Sequence, residues 1–247
     1  MRLPGKGLFI YLSVSAAVIA AVIYSAFFFG RMKIPGEAPG EIVGNFSFSK
    51  ASDLGWWKER VLASKGTVYT IADSDGRICL RSESDDSASA LFYKERLLSD
   101  NRPFVRWEWK VEEFPSAERN GNLVKKDQFD FAAQVYVIFH ARFLPKAKAI
   151  QYVWAGEVKK GTVADSPYTK NVKVMVLESG DAGLWKKEER DINTDYEKLF
   201  GEKAGKDVMA VSMMTDSDST DSRAVAYYAD IAFGYSGEEK KEELSDI

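Results

Sequence analysis

The chain has little of what builds metal or nucleophile chemistry from sequence alone: one Cys and one His in 247 residues. One Cys excludes an intramolecular disulfide and a zinc site built on several thiolates. One His excludes a multi-His metal centre. An excess of positive charge is lacking too. Lys and Arg number 34 against 37 Asp and Glu, a net of −3, so nothing points to a nucleic-acid partner. Helical periodicity between the apolar runs is also absent, which excludes Rossmann and TIM-barrel folds. What is present is core material. At 45% apolar and 13% aromatic residues the chain can bury a sizeable interior, and wholesale disorder is excluded.

The longest apolar run lies at the N-terminus. Leu8 to Phe29 carries no charge and is framed by Lys6 and Arg31. A helix of that length reaches roughly 33 Å, enough to cross a hydrocarbon core. The run is longer than the apolar part of a signal peptide, and Phe27, Phe28 and Phe29 leave no small-residue cleavage site. The expectation is an uncleaved transmembrane anchor. Arg2, Lys6 and the free amine precede the span, and Arg31 and Lys33 follow it. The charge bias therefore expects a cytoplasmic N-terminus, a single pass of the inner membrane and a periplasmic or extracellular domain. The organisation reads as leader 1–7, anchor 8–30, linker 31–41 with two Pro and two Gly, β domain 42–235 and acidic tail 236–247.

The middle of the chain reads as strand after strand. Val105, Trp107, Trp109 and Val111 alternate with Arg106, Glu108 and Lys110, a period of two that marks a half-buried strand. Similar runs recur at 67–72, 77–82, 88–93, 131–139, 150–155, 172–177, 208–214 and 225–233. Turn-forming pieces such as Ser74-Asp75-Gly76 separate them. One short helix is expected at Thr194 to Phe200, capped by Asn193 or Thr194 and stopped by Gly201. The fold class is all-β: an antiparallel jelly-roll-like β-sandwich preceded by one transmembrane helix.

The ends of the domain add a resemblance. Asn45-Phe46-Ser47-Phe48, followed by Trp56-Trp57, resembles the opening strand of jelly-roll carbohydrate-binding modules. The segment from Tyr227 to Phe233 resembles their last strand. That resemblance implies adjacent first and last strands, and a late acid, here Asp230, of the kind that ligates a structural calcium. A closer likeness runs through most of the domain. Its residues are Ser87 to Leu91, Pro103 with Trp107 to Val111, Asp130 to Val137, Tyr152 to Trp154 and Asn171. Trp185, Arg190-Asp191, Asp195-Tyr196, Phe200-Gly201, Met214 to Thr220 and Asp230 to Phe233 complete it. In these motifs the chain is similar to domain-of-unknown-function family 3047, a family of exported or membrane-attached bacterial proteins. It departs from the family pattern at Gln134, where Arg is usual, at Ser219, where Asn is, and at Ala229, where Gly is. The resemblance supports the fold and implies no activity.

Candidate chemistry follows from residue type and spacing. Asp216, Asp218 and Asp221 place three carboxylates in six residues, an oxygen-rich loop suited to calcium. Asp230 would join them only if the fold brings it near, and an Asx-rich turn explains the same loop. Glu108 and Glu112 share a strand face, but Lys110 lies between them and Arg106 beside them, so a salt-bridged face is the simpler account. Asp127 and Asp130 flank Phe129 before the strongest apolar strand, where they either line a cleft or cap a turn. His140 has no nucleophile motif beside it. Trp107, Trp109 and Trp154 are assigned to the core, whereas Trp56, Trp57 and Trp185 lie in polar surroundings where an exposed indole can stack on a sugar. The sequence thus points to a non-catalytic module, bound to the membrane through residues 8–29, for a glycan or another envelope component. Two alternatives stay open: an envelope-polysaccharide hydrolase or lyase using Asp127, Asp130 and Glu108, and a structural protein docking a protein partner.

Overall fold

The computed structural model describes residues 40–116, 122–141 and 146–237. The anchor expected at 8–29, nearly all of the linker and most of the acidic tail lie outside the described residues. Among the described residues no helix is long and apolar enough to cross a membrane.

In chain order the strands are β1 (Ile42–Phe46), β2 (Lys58–Val61), β3 (Val68–Ser74), β4 (Arg77–Asp85), β5 (Ala88–Tyr93) and β6 (Pro103–Glu113). They continue as β7 (Ala133–Phe139), β8 (Ala149–Ala155), β9 (Val163–Ser166) and β10 (Thr169–Ser179). The last are β11 (Lys186–Asp191), β12 (Val208–Asp216) and β13 (Arg223–Tyr235). Among the described residues two short α-helices, α1 (Ala51–Leu54) and α2 (Ile192–Phe200), and two single-turn 3₁₀ helices accompany the strands. The strands form an all-β sandwich of two sheets. One runs β11-β6-β13-β4-β3, with β1 on β13; the other runs β2-β5-β12-β7-β8-β10-β9.

β6 shows why these residues choose this sandwich. Its odd positions Val105, Trp107, Trp109 and Val111 are buried in the main core, and its even positions turn outward to ion pairs such as Arg77–Glu108. Across the sandwich Trp107 meets Tyr152 at 5.5 Å between ring centroids, and Trp109 meets Trp154 at 5.9 Å. Large aromatics from both sheets thus close the centre. β13 keeps its apolar side inward along its whole length by slipping once. Ala224, Ala226 and Tyr228 face the core, then Ile231, Phe233 and Tyr235 do. The change of parity falls at Asp230, which has a φ of 47° and sits where the register with β6 shifts, as a bulge requires. β4 pairs with Arg223 to Tyr228 and β1 with Ile231 to Gly234, so the first and last strands are neighbours.

Two local expectations are corrected, and one strand escaped the sequence reading. The pairing is not wholly antiparallel: β10 runs parallel to β8. The chain leaves β8, makes β9 at the sheet edge and returns as β10 between them, so β9 and β10 form the antiparallel hairpin. The charged run Lys186–Asp191, which alternation alone does not mark as a strand, is edge strand β11 on β6; charge on an edge discourages further strand addition. The long helix starts at Ile192. Its cap is Asp191, whose carboxylate accepts from the Thr194 amide at 2.9 Å, not Asn193 or Thr194. Gly201 stops it at a φ of 68°, as expected.

Candidate functional site

The pairing of β12 with β7 builds a cluster of acids. Met214 lies opposite Gln134 in antiparallel register, so the end of β12 lies beside the start of β7. Asp216 is there joined twice to Phe131: its amide donates to the Phe131 carbonyl at 3.2 Å, and its Oδ1 accepts from the Phe131 amide at 2.8 Å. Gln134 Nε2 donates to the same Oδ1 at 2.5 Å. Asp130, three residues before the strand, turns to the β12–β13 loop, where its Oδ2 accepts from the Ser219 amide at 3.0 Å and the Thr220 hydroxyl at 2.8 Å. Asp218, two residues past Asp216, completes the group. One carboxylate oxygen from each of Asp130, Asp216 and Asp218 lies within 4.8 Å of the others.

The electrostatics of this group are unusual. Asp130 is 1% exposed and Asp216 3%. Burial, then repulsion from Asp130, pushes the Asp216 carboxyl well above its ordinary range. Burial raises Asp130 as well. Asp218 is pushed up to about 7 by burial and by Asp130. Its Oδ1 is buried with no hydrogen-bond partner among the described residues, and none of the three acids is in a described ion pair. Two oxygens bound at 2.3–2.6 Å to one calcium ion lie no more than about 5 Å apart. The spacing, the oxygen-only donors and the uncompensated charge all fit such an ion.

This grouping differs from the one expected. Asp216 and Asp218 fall together, but the third member is Asp130, expected at a ligand cleft, rather than Asp221 or Asp230. Asp221 stands outside the group at a loop φ of 47°. Asp230 lies on the other sheet, where Arg77 bridges it to Glu108 at 2.5 Å on each side. Asp127 is exposed on the turn before β7, apart from its expected partner Asp130. The tryptophans also separate. Trp56 is 65% exposed, whereas Trp57 is 4% exposed. Trp57 packs edge-on against Phe46 at 5.4 Å, so its expected exposure is corrected. Trp185 is half-buried on the outer face of the first sheet, beside Tyr227 and beneath the Arg77 guanidinium at 4.7 Å. Glu108 and Glu112 are spent on Arg77 and the Tyr227 hydroxyl, the salt-bridged face that alternation expected.

Two features escaped sequence reasoning. Glu188 of edge strand β11 meets Glu178 of β10, in the other sheet, and burial and that neighbour push Glu188 up to about 7. Beside them Arg190 holds Asp195 with bonds of 2.8 and 2.5 Å, while the Tyr152 hydroxyl donates to Asp195 at 2.8 Å. The second feature is an open cavity of about 490 Å³ between the end of β7 and α2, lined by Phe139, His140, Tyr196 and several lysines. Only the placement of His140 at the end of a strand hinted at it.

A two-sheet β-sandwich with an acidic cluster of two buried carboxyls and one half-buried carboxyl, and a separate open cavity, defines the class of protein. Residues 55–232 match the family model described as "Protein of unknown function (DUF3047)", and the chain belongs to that family. No curated protein matches the sequence. Among solved structures, a family 11 carbohydrate-binding module from Clostridium thermocellum is similar at 9% identity, over 79% of this chain and 98% of that one, with a TM-score of 0.40. The xyloglucanase domain of NopAA, an effector from Sinorhizobium fredii, is similar at 13% identity, over 72% and 92%, with a TM-score of 0.43. The Endo-D glycoside hydrolase domain from Streptococcus pneumoniae R6 is similar at 14% identity and a TM-score of 0.39; the match covers 74% of this chain but spans only 22% of that one. All three are remote, and what those proteins bind or cleave belongs to them.

Proposed function

We propose that the protein is a non-catalytic binding module of the bacterial cell envelope, with a jelly-roll-like sandwich clamped by one calcium ion. Its ligand is a glycan or another envelope component. Residues 8–29 anchor it in the inner membrane, with the domain on the periplasmic or extracellular side. One observation carries the reading: the acid cluster and the open cavity are different places. A general acid or nucleophile must reach substrate within hydrogen-bond distance, yet Asp130 and Asp216 are sealed among strand ends and loop amides. A cation suits that position, because it supplies the positive charge that no described side chain provides. The open cavity has the size of a small-ligand site, roughly 300–1,000 Å³.

The test uses the full chain in detergent. Calcium raising the melting temperature, together with saturable binding on a panel of bacterial glycans, supports the reading. Turnover of an envelope polysaccharide that Asp218→Asn abolishes would replace it with the hydrolase or lyase reading.

A further inference from the structure

The cavity between β7 and α2 carries a charge pattern that names a ligand class. Lys146, Lys148 and Lys206 line it against a single carboxylate, Glu202. That carboxylate is already engaged, since its Oε1 accepts from Lys148 Nζ at 2.7 Å and from the Tyr196 hydroxyl at 2.7 Å. Lys148 is fixed further by two aromatic faces, at 5.2 Å from the Tyr196 centroid and 4.4 Å from that of Phe200. Lys146 and Lys206 have no ion-pair partner among the described residues. The cavity therefore holds an excess of two positive charges, in a chain whose net charge is −3. Its floor is closely packed: Phe139 and Tyr196 meet edge to face at 4.7 Å, and both are buried.

We infer that this cavity is the site for an anionic saccharide, a pyranose bearing one carboxylate or phosphate group. Lys146 and Lys206 would hold the oxyanion, while His140 and the Lys148–Glu202 pair would meet ring hydroxyls with donors and an acceptor. Neutral sugar would leave the two ammonium groups uncompensated in a concave wall that concentrates their field. The inference rests on the reading of the protein as a glycan module and names the class that it selects.

The experiment uses the full chain in detergent, ligand-observed NMR, and four probes: glucose, glucuronate, glucose 6-phosphate and inorganic phosphate. The expected result is that glucuronate or glucose 6-phosphate binds at least tenfold more tightly than glucose and inorganic phosphate. The two charged sugars separate a carboxylate site from a phosphate site. Lys146→Gln/Lys206→Gln, two exposed positions, should lose that preference tenfold without a change in melting temperature. Equal binding of charged and neutral sugars, or an unchanged preference in the double variant, overturns the inference while leaving the glycan reading intact. Inorganic phosphate binding as tightly as the charged sugars overturns the saccharide assignment. If none of the sugars binds, and none on the wider glycan panel does, the glycan reading itself falls.

Discussion

Gln134 Nε2 donates to Asp216 Oδ1 at 2.5 Å, so this buried side-chain amide faces the acid cluster directly. An amide there supplies a donor but no charge. Asp130, Asp216 and Asp218 are left with three carboxylates and no described cation, the condition under which a bound divalent ion gains most.

Calcium should therefore stabilise the protein. A ligand at a hundred times its dissociation constant adds about 2.7 kcal/mol, which for a domain of this size is a melting shift of about 5–10 °C. Asp216→Asn and Asp218→Asn should lose the shift. In chelator both should be as stable as the parent or more so, because each removes a repelling buried carboxyl. Differential scanning calorimetry with calcium and with chelator decides it, and a calcium shift surviving in Asp216→Asn would place the ion elsewhere.

Gln134→Arg should mimic the ion. A guanidinium against Asp216 compensates the cluster, so this variant should melt higher than the parent in chelator and respond little to calcium. Gln134→Met, which removes the donor without adding charge, should retain the calcium response. Identical calcium titrations for parent and Gln134→Arg would separate this position from the cation.

Glu188 sets a pH dependence of its own. Its folded carboxyl is raised to about 7 by burial and Glu178, whereas an unfolded Glu titrates near 4.3. Below the unfolded value both states hold the proton and the folded protein is most favoured. As pH rises toward 7 the unfolded chain releases its proton first, and stability falls. Glu188→Gln should flatten that decline. Melting curves from pH 4.5 to 7.5 in chelator, read as the difference between parent and variant, would count against this if the two ran parallel.

Asp195 is a structural anchor for both sheets. It is buried between Arg190 of β11 and the Tyr152 hydroxyl of β8, tying an edge of one sheet to the centre of the other. Asp195→Ala strands a half-buried guanidinium and should cost about 3–5 kcal/mol. Urea unfolding measures it, and a loss below about 1 kcal/mol would mean that Arg190 finds another partner.

Short apolar runs between turn residues marked β3, β4, β5, β6, β7, β8, β10, β12 and β13, and the strict alternation along β6 placed Trp107 and Trp109 in the core and made a charged outer face of Glu108 and Lys110. Those readings hold because alternation is a local property: each side chain's face follows from its neighbours two positions away. Gly201 ending α2 is local in the same sense. Register between distant strands is not. Phe131 and Asp216 are 85 residues apart in the chain, and only the β7–β12 pairing brings Asp130 to Asp216 and Asp218. The bulge at Asp230 turns that side chain to Arg77 instead. The burial of Trp57, the parallel β8–β10 pair and the lysine-lined cavity between β7 and α2 were likewise decided by tertiary structure. Each depends on which surface a segment meets across the sandwich, and a one-dimensional pattern carries no record of that.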